Sequence, residues 1–435
     1  MNSIKGDPKD EGNAKRTHYG ASVSSFPAPE VIKFISKTMP ELNIGTVGHV
    51  DHGKTSLVHA LTGKMTDTHS EELKRGITIR LGYADATFYY CEKCKSYATS
   101  KKCPKCFSDM VAKRTVSFVD SPGHETLMAT VLSGSALMNG ALLVISAAEK
   151  CPLPQTAEHL KALDIAGIKN IIIVQNKIDL VPEKRSIESH EEIKKFVKGT
   201  VAENAPVIPI SALHNANIDV LIEAIENHIP TPKASSSEQP IFYVARSFDI
   251  NRPGTPAKDL KGGVIGGSVI QGIFREGDEI DMKPGFKAGE KWVELETKII
   301  EINQSGQKIS EAGPGGLVAL QTDLDPSITK SDSLSGSIAG IKGALPESKD
   351  EIKFTPNLFD YVIGVKGSQK VDPVRTGDVL MLTVAVTKTV GAVASAGKNI
   401  HAKLKIPVCA EKGDRISISK QVGGRWHLIG WGEVL

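Results

Sequence analysis

Short apolar runs alternate with amphipathic stretches along the first half of the chain. The apolar runs have the length of buried strands, and the amphipathic stretches repeat their apolar residues with the period of a helix. Strands that alternate with helices predict a parallel-type sheet with helices on both faces. The predicted strands are Leu42–Val47, Val116–Val119, Ala141–Ser146, Ile171–Gln175 and Val207–Ile210, and the predicted helices are Ser56–Leu61, Glu125–Met138, Gln155–Gly167, Glu188–Val201 and Asp219–Ile229.

The pattern changes after Pro230. Residues 231–240 have the composition of a linker, and beyond them glycine and β-branched residues dominate short strands that are separated by turns. A polar stretch over residues 346–353 predicts a further boundary. We therefore expect an N-terminal extension over residues 1–40, an α/β domain over 41–232, and two β-barrel domains over 240–345 and 350–435.

Composition places the 435-residue chain among ordinary globular proteins, with 40% apolar and 24% charged residues. The 53 Lys and Arg residues nearly balance the 50 Asp and Glu residues, which leaves a net charge of +3. Contact with nucleic acid would therefore depend on a local patch or on shape. The apolar runs fall far short of the ~20 residues that span a bilayer, and the polar N-terminus lacks a signal-peptide core. We expect a cytoplasmic protein with no membrane contact.

Residues 48–55, GHVDHGKT, fit the phosphate-loop pattern GxxxxGK(S/T) and lie between a predicted strand and a predicted helix. The glycines of the motif let the backbone turn tightly and direct its N–H groups toward phosphate oxygens. Lys54 can reach the outer phosphates, and the Thr55 hydroxyl can ligate Mg²⁺. The candidate phosphate-binding residues are Gly48, Asp51, His52, Gly53, Lys54, Thr55 and Ser56.

Residues 176–179, NKID, directly follow another predicted strand. The Asp179 carboxylate can accept hydrogen bonds from the ring N–H and the exocyclic amine of guanine, whereas adenine offers no such pair of donors. Lys177 can lay its stem across the base, and Asn176 can tie this loop to the phosphate loop. A backbone N–H for the guanine oxygen can come from the next candidate segment, Ser211, Ala212 and Leu213.

Two further segments can respond to the terminal phosphate. Asp120 directly follows a predicted strand and can hold Mg²⁺ through water, while the N–H of Gly123 can contact the phosphate. His124 then lies beside the attacking water. Thr78, within the RGITI segment, can complete the Mg²⁺ coordination when the third phosphate is present. By itself each segment also fits an ordinary turn or an amphipathic stretch, and only the order of the motifs favours the nucleotide interpretation.

Four cysteines form two CxxC pairs separated by eight residues, namely Cys91 with Cys94 and Cys103 with Cys106. Such pairs can place four thiolates around Zn²⁺ in a closed tetrahedral site, which favours a structural role for the metal. Neighbouring lysines favour the thiolate form. Redox-active and metal-free thiols are the alternatives. The two remaining cysteines, Cys151 and Cys409, are expected in the core.

The order GHVDHGKT, RGITI, DSPGH, NKID and SAL, followed by two β domains, resembles the translational GTPases. Within that family, RSFDINRPGT and the closing segment IPVCAEKGDRISISKQVGGRWHLIGWG are similar to the gamma subunits of translation initiation factor 2 in their archaeal form. The resemblance implies that the GTP-loaded chain binds methionylated initiator tRNA and docks alpha and beta subunits. It also implies delivery of the tRNA to the small ribosomal subunit, with hydrolysis of GTP to GDP as the release switch.

The resemblance implies roles for single residues as well. His124 orders the hydrolytic water and must cross an apolar gate formed by Val50 and Ile77. A second Mg²⁺ lies near Asp51, with the carbonyl of Gly76 as a ligand. The acceptor end of the tRNA lies between the GTPase domain and the first β domain.

Three alternative functions share parts of this pattern. An elongation-type GTPase that carries aminoacyl-tRNA has the same motifs, although elongation factors of this group lack the two CxxC pairs. A nucleotide-dependent scaffold for partner subunits, with negligible hydrolysis, needs only the binding motifs. An activator of small-molecule chemistry, such as sulfate adenylylation, shares the fold, but no segment of the chain supports it.

Overall fold

The computed structural model describes residues 39–435 except 67–71, 73–77, 79, 125–126, 234, 236 and 365–368. The predicted N-terminal extension therefore lies almost entirely outside the described residues. The predicted gate residue Ile77 and the predicted ligand Gly76 lie outside them as well.

The first half of the described chain contains one sheet covered by helices. Its strands are β1 (Pro40–Val47), β2 (Gly82–Cys91), β3 (Ser96–Ala98), β4 (Val111–Asp120), β5 (Gly140–Ser146), β6 (Ile171–Asn176) and β7 (Val207–Pro209). They lie in the order β3-β2-β4-β1-β5-β6-β7. The strands from β4 to β7 in this order pair in parallel, which confirms the predicted fold class. Strands β2 and β3 extend the sheet in antiparallel pairing and were not predicted.

The helices of this part are α1 (Lys54–Thr62), α2 (Met128–Ser135), α3 (Pro154–Ile165), α4 (Glu183–Val197) and α5 (Ile218–His228). Helix α4 begins earlier than predicted because Pro182 holds an extended backbone, with a ψ of 155°, directly before the first turn. It also ends earlier, since Lys198 leaves the helical region and Gly199 adopts a φ of 73°.

The next part is a barrel. Its elements are β8 (Ile241–Phe248), β9 (Val264–Gln271), β10 (Phe274–Arg275), β11 (Glu279–Ala288), β12 (Lys291–Gln304), β13 (Gln307–Ile309), β14 (Glu311–Ala312), β15 (Val318–Thr322), the short helix α6 (Pro326–Thr329) and β16 (Ile338–Ile341). Six strands follow one another in the order β11-β16-β8-β9-β15-β12, and the pairing of β11 with β12 closes the ring. Phe242 and Phe274 meet edge to face in its core.

The last part is a second closed barrel. Its strands are β17 (Ser348–Leu358), β18 (Val379–Val384), β19 (Thr387–Ala396), β20 (Ile400–Cys409), β21 (Arg415–Val422) and β22 (Arg425–Val434), and they close in the order β17-β20-β19-β18-β21-β22. Strand β17 begins at Ser348, inside the polar stretch that we interpreted as a boundary. The polar residues of β17 lie on its outer face, while Ile352 and Phe354 point into the core. The two predicted β-barrels are therefore present.

Direct contacts join the three parts. Leu428 of β22 belongs to the apolar cluster on one face of the first sheet. Arg415 of β21 donates a 3.2 Å hydrogen bond to the carbonyl of Asp164 at the end of α3. Asn43 of β1 donates to the hydroxyl of Ser268 in the first barrel at 2.9 Å. None of the described helices has the length and hydropathy needed to cross a membrane.

Candidate nucleotide and metal sites

The phosphate loop joins β1 to α1. Its backbone conformation and close packing require glycine at two positions. Gly48 has a φ of 139° and Gly53 a φ of 88°. A Cβ atom added at Gly48 would lie 2.3 Å from the carbonyl oxygen of Val144, and one at Gly53 would lie 2.4 Å from the amide nitrogen of Asn176. A side chain at Gly48 would require movement of the β5 backbone, and one at Gly53 would displace the Asn176 side chain at the end of β6.

A buried histidine holds the beginning of this loop. The N–H of Gly48 donates a 2.7 Å hydrogen bond to Nδ1 of His159 on α3. Burial lowers the pKa of His159 well below its usual value, so the ring is neutral and Nδ1 can accept. His159 was not among the predicted site residues. The only available signal was a histidine on the inward face of a predicted helix, and such a residue is more often a packing residue.

Hydroxyl and carboxylate oxygens converge at the predicted Mg²⁺ position. Thr55 Oγ1 donates to Asp120 Oδ2 at 2.8 Å and lies 3.1 Å from the hydroxyl of Thr78. Thr46 donates to the other oxygen of Asp120 at 2.8 Å, and Thr66 donates to Oδ2 at 2.7 Å. Asp120 is completely buried. Oxygen ligands of this kind suit Mg²⁺, which binds through a few protein groups and keeps several waters.

A cavity of about 430 Å³ opens over the phosphate loop. It brings together most of the predicted phosphate, metal and catalytic residues, and its lining is Val50, Asp51, Gly53, Lys54, Thr55, Ser56, Met65, Thr78, Gly123, His124 and Lys177. A neighbouring cavity of about 350 Å³ shares Val50, Asp51 and His124. His124 therefore lies where the two cavities meet. A Cβ atom added at Gly123 would lie 2.4 Å from Nζ of Lys54, so this glycine allows the close approach of the lysine.

The predicted guanine loops are tied to the phosphate loop. The side-chain amide of Asn176 donates to the carbonyl of His52 at 2.9 Å, and its Oδ1 accepts from the N–H of Ala212 at 3.0 Å. A hydrogen bond from Ser211 lowers the pKa of Asp179. The Leu213 side chain is 76% exposed, so only its backbone is suited to the predicted contact.

His52 takes a different place from the other residues of its loop. Its ring is buried, with Nδ1 3.1 Å from the carbonyl oxygen of Val144. Burial lowers the pKa of His52 to about 3. The ring is therefore neutral and packs beneath the phosphate loop. The backbone carbonyl of His52 accepts a hydrogen bond from the side-chain amide of Asn176. Its side chain does not line the 430 Å³ cavity.

The four predicted zinc ligands come together between β2 and β4. The thiol sulfurs of Cys91, Cys94, Cys103 and Cys106 all lie within 4.8 Å of one another. Sγ of Cys91 is 3.6 Å from Sγ of Cys106. A tetrahedron with zinc–sulfur bonds of about 2.3 Å separates its sulfurs by about 3.8 Å, so the cluster has the right size.

Two matching turns build this cluster. The N–H of Lys95 donates to the carbonyl of Cys91, and the N–H of Phe107 donates to the carbonyl of Cys103, both at 2.8 Å. Lys95 has a φ of 52° and Phe107 a φ of 58°, and each follows the second cysteine of its pair. A hydrogen bond with Cys106 raises the pKa of Cys94, whereas hydrogen bonds with Ser108 lower the pKa of Cys106 to about 6. Of the other cysteines, Cys409 is buried and Cys151 is half-buried.

A phosphate loop with this metal position, on an α/β domain packed against two β-barrels, is the architecture of a translational GTPase. Residues 39–231 match the family described as the elongation factor Tu GTP binding domain, and residues 350–434 match initiation factor eIF2 gamma, C terminal. The chain belongs to the gamma subunits of translation initiation factor 2, and it is a GTPase of translation initiation.

Relatives in archaea support this assignment along almost the whole chain. A protein of Methanocaldococcus jannaschii named translation initiation factor 2 subunit gamma is 58% identical over 399 residues, which cover 91% of this chain and 97% of the relative. The protein of the same name in Methanococcus vannielii is 56% identical over 409 residues and covers 92% of this chain and 100% of the relative.

Solved structures share the fold. A bacterial selenocysteine-specific elongation factor, EF-Sec, has a TM-score of 0.69 at 24% identity, and the match covers 91% of this chain but spans only 58% of that chain. Elongation factor SelB of Methanococcus maripaludis, in complex with the GTP analogue GppNHp, has a TM-score of 0.65 at 22% identity and covers 91% of this chain and 79% of that chain.

Proposed function

We propose that this chain binds methionylated initiator tRNA in its GTP-loaded state and delivers it to the small ribosomal subunit. The observation that carries the proposal is the contact of Thr78 with Thr55 at 3.1 Å, because Thr78 is the residue expected to respond to the third phosphate. A residue held in this way can change position with the nucleotide, which is the requirement of a switch. Membership in the initiation factor 2 gamma family supports the choice of initiator tRNA.

Hydrolysis of GTP to GDP is the proposed release step. Thr55, Thr78 and Asp120 would hold Mg²⁺, which would neutralise charge at the phosphates. Lys54 and the N–H groups of the loop bind the outer phosphates. His124 is the proposed catalytic residue, and its position where the two cavities meet suits a group that orders the attacking water. Positioning and electrostatic stabilisation dominate phosphoryl transfer, so His124 does not need to act as a strong base.

The cysteine cluster is the proposed site of a structural Zn²⁺. All four ligands come from the protein and leave no open position, which argues against a catalytic role. Alpha and beta subunits of the same factor are the proposed protein partners, and the cytoplasm is the proposed location. Family membership supports these assignments.

Filter binding with two tRNAs tests the proposed function. The full chain, loaded with a non-hydrolysable GTP analogue and with the alpha subunit added, is titrated against methionylated initiator tRNA and against an elongator aminoacyl-tRNA. A clear preference for the initiator supports the carrier role. Equal affinity would indicate an elongation-type factor, and no binding of either tRNA would leave a nucleotide-dependent scaffold.

A further inference from the structure

Arg80 connects the segment over the phosphate loop to the first barrel. It lies two residues after Thr78, whose hydroxyl approaches Thr55. Its own N–H donates to a carboxylate oxygen of Glu72 at 3.0 Å, and Glu72 belongs to the same segment between α1 and β2 and is buried. Its guanidinium donates across the domain boundary to Asp332 Oδ2 at 3.0 Å. The backbone of Arg80 is therefore bound to Glu72, while its side chain is bound to the barrel.

The two carboxylate oxygens of Asp332 accept hydrogen bonds from different parts of the molecule. Oδ2 accepts from Arg80, whereas Oδ1 accepts from the Nε of Arg246 at 2.8 Å and from the N–H of Ser247 at 3.1 Å. Both of these donors lie on β8 of the barrel. Asp332 has a φ of 61°, and the residue before it, Ser331, has a φ of 57°, so the backbone presents this carboxylate in a fixed left-handed turn. The barrel keeps Asp332 in place even when Arg80 is withdrawn.

We infer that the Arg80–Asp332 ion pair is a latch that reports the nucleotide state to the first barrel. It forms when Thr78 lies on the phosphate loop and opens when Thr78 moves away from Thr55. A contact that exists in only one state adds to the affinity of whichever ligand favours that state. The latch therefore raises the affinity for GTP over GDP, and it stabilises the barrel in the position that accompanies GTP.

The exposure of the two partners distinguishes the latch from an ordinary surface ion pair. The side chain of Arg80 is 46% exposed, but that of Asp332 is only 18% exposed and already has two barrel donors. The barrel contacts therefore already order the Asp332 carboxylate, and pairing with Arg80 costs little further side-chain entropy at Asp332. The expected effect of losing the pair is about threefold in affinity, within the range of such contacts near a surface.

Equilibrium binding of labelled nucleotides to the full chain tests the latch without tRNA. Arg80→Met keeps the length of the side chain and removes its charge, and Asp332→Asn keeps an acceptor for Arg246 and Ser247. Each variant is expected to bind a non-hydrolysable GTP analogue about threefold more weakly, with GDP affinity unchanged. The double variant is expected to be no weaker than either single variant, since both remove the same contact.

Arg275→Met is the matched control, because it removes a pair with Glu311 whose side chains are both more than half exposed on short strands of the same barrel. It should change neither affinity. Either of two results would overturn the proposed latch. One is an unchanged ratio of GTP-analogue to GDP affinity in Arg80→Met, which includes an equal loss for both nucleotides. The other is a pair of single-variant effects that multiply in the double variant.

The consequence for tRNA rests on the proposed function. If the chain carries initiator tRNA, Arg80→Met should reduce the GTP preference of tRNA binding by the same factor. Failure of the wild-type chain to bind tRNA would contradict the carrier role and leave the nucleotide experiment as the test of the latch. A changed nucleotide ratio with an unchanged tRNA ratio would show that the latch does not reach the tRNA site.

Discussion

The N–H of Gly48 and Nδ1 of His159 are joined by a hydrogen bond of 2.7 Å, deep beneath the phosphate loop. The residue before this histidine, Glu158, is also buried and lies 3.2 Å from Nδ1 of His427 in the second barrel. Helix α3 therefore touches the phosphate loop with one residue and the barrel with the residue before it. The first turn of the loop depends on a side chain more than one hundred positions away in the sequence.

Removal of the acceptor at residue 159 is expected to weaken nucleotide binding. His159→Ala leaves the buried N–H of Gly48 without its partner, at a cost of about 1–3 kcal/mol. We expect GDP and the GTP analogue to lose affinity together, by about tenfold, in equilibrium titrations. His159→Asn puts an amide oxygen near the position of Nδ1 and should recover part of the loss. Equal affinities for the Ala variant, the Asn variant and the wild type would show that the hydrogen bond is not needed.

Two buried neutral histidines should make the protein sensitive to mild acid. The pKa of His52 is lowered to about 3, and that of His159 lies well below its usual value. In the unfolded chain both titrate near ~6.5, so below that pH the unfolded state binds more protons than the folded state. Stability is therefore complete above pH ~6.5 and falls as the pH decreases toward the folded pKa values.

The slope of stability against pH measures this effect. Each histidine contributes up to ~1.4 kcal/mol per pH unit well below pH ~6.5. Urea unfolding between pH 7.5 and 5.5 should show a falling free energy of unfolding, and His159→Asn should make the fall shallower. The same slope in the variant and the wild type would exclude His159 as a source.

His124→Ala is expected to slow GTP hydrolysis and to leave GTP affinity within a few-fold of the wild type. His124 lines the cavity beside the phosphate loop, and the proposed phosphate and base contacts are made by other residues. Single-turnover hydrolysis and equilibrium binding separate the two effects. His228→Ala, at the exposed end of α5, is the control and should hydrolyse GTP normally. Hydrolysis at the wild-type rate in His124→Ala would remove His124 from the chemistry.

Metal analysis of protein purified without chelator should find zinc in equimolar amount. Cys106→Ser removes one of four thiolates, and it should lower the zinc content and the thermal stability of the chain together. Cys151→Ser lies outside the cluster and should retain full zinc. Zinc-free wild-type protein would leave the cluster as metal-free thiols.

Local sequence motifs predicted the nucleotide and metal sites. The contacts that support these sites from distant parts of the chain were not predicted. The phosphate loop, NKID and the paired cysteines depend on near neighbours, so their spacing carries their chemistry. His159, Thr66 and the Arg80–Asp332 pair act through contacts between distant segments, which no spacing reveals. Strand β2 was missed because its inward positions include Ala84 and Ala86, which make only a weak hydrophobic alternation.

Control of the initiator tRNA affinity by the nucleotide can be measured in a single titration. Methionylated initiator tRNA is titrated against the full chain with alpha subunit, loaded with either the GTP analogue or GDP. We predict at least about fivefold tighter binding with the GTP analogue, as expected for coupled sites. Thr78→Ala should bring the two affinities together, and Thr78→Ser, which keeps the hydroxyl, should separate them again. Equal affinity of the wild-type chain in both nucleotide states would show that the nucleotide does not control tRNA binding.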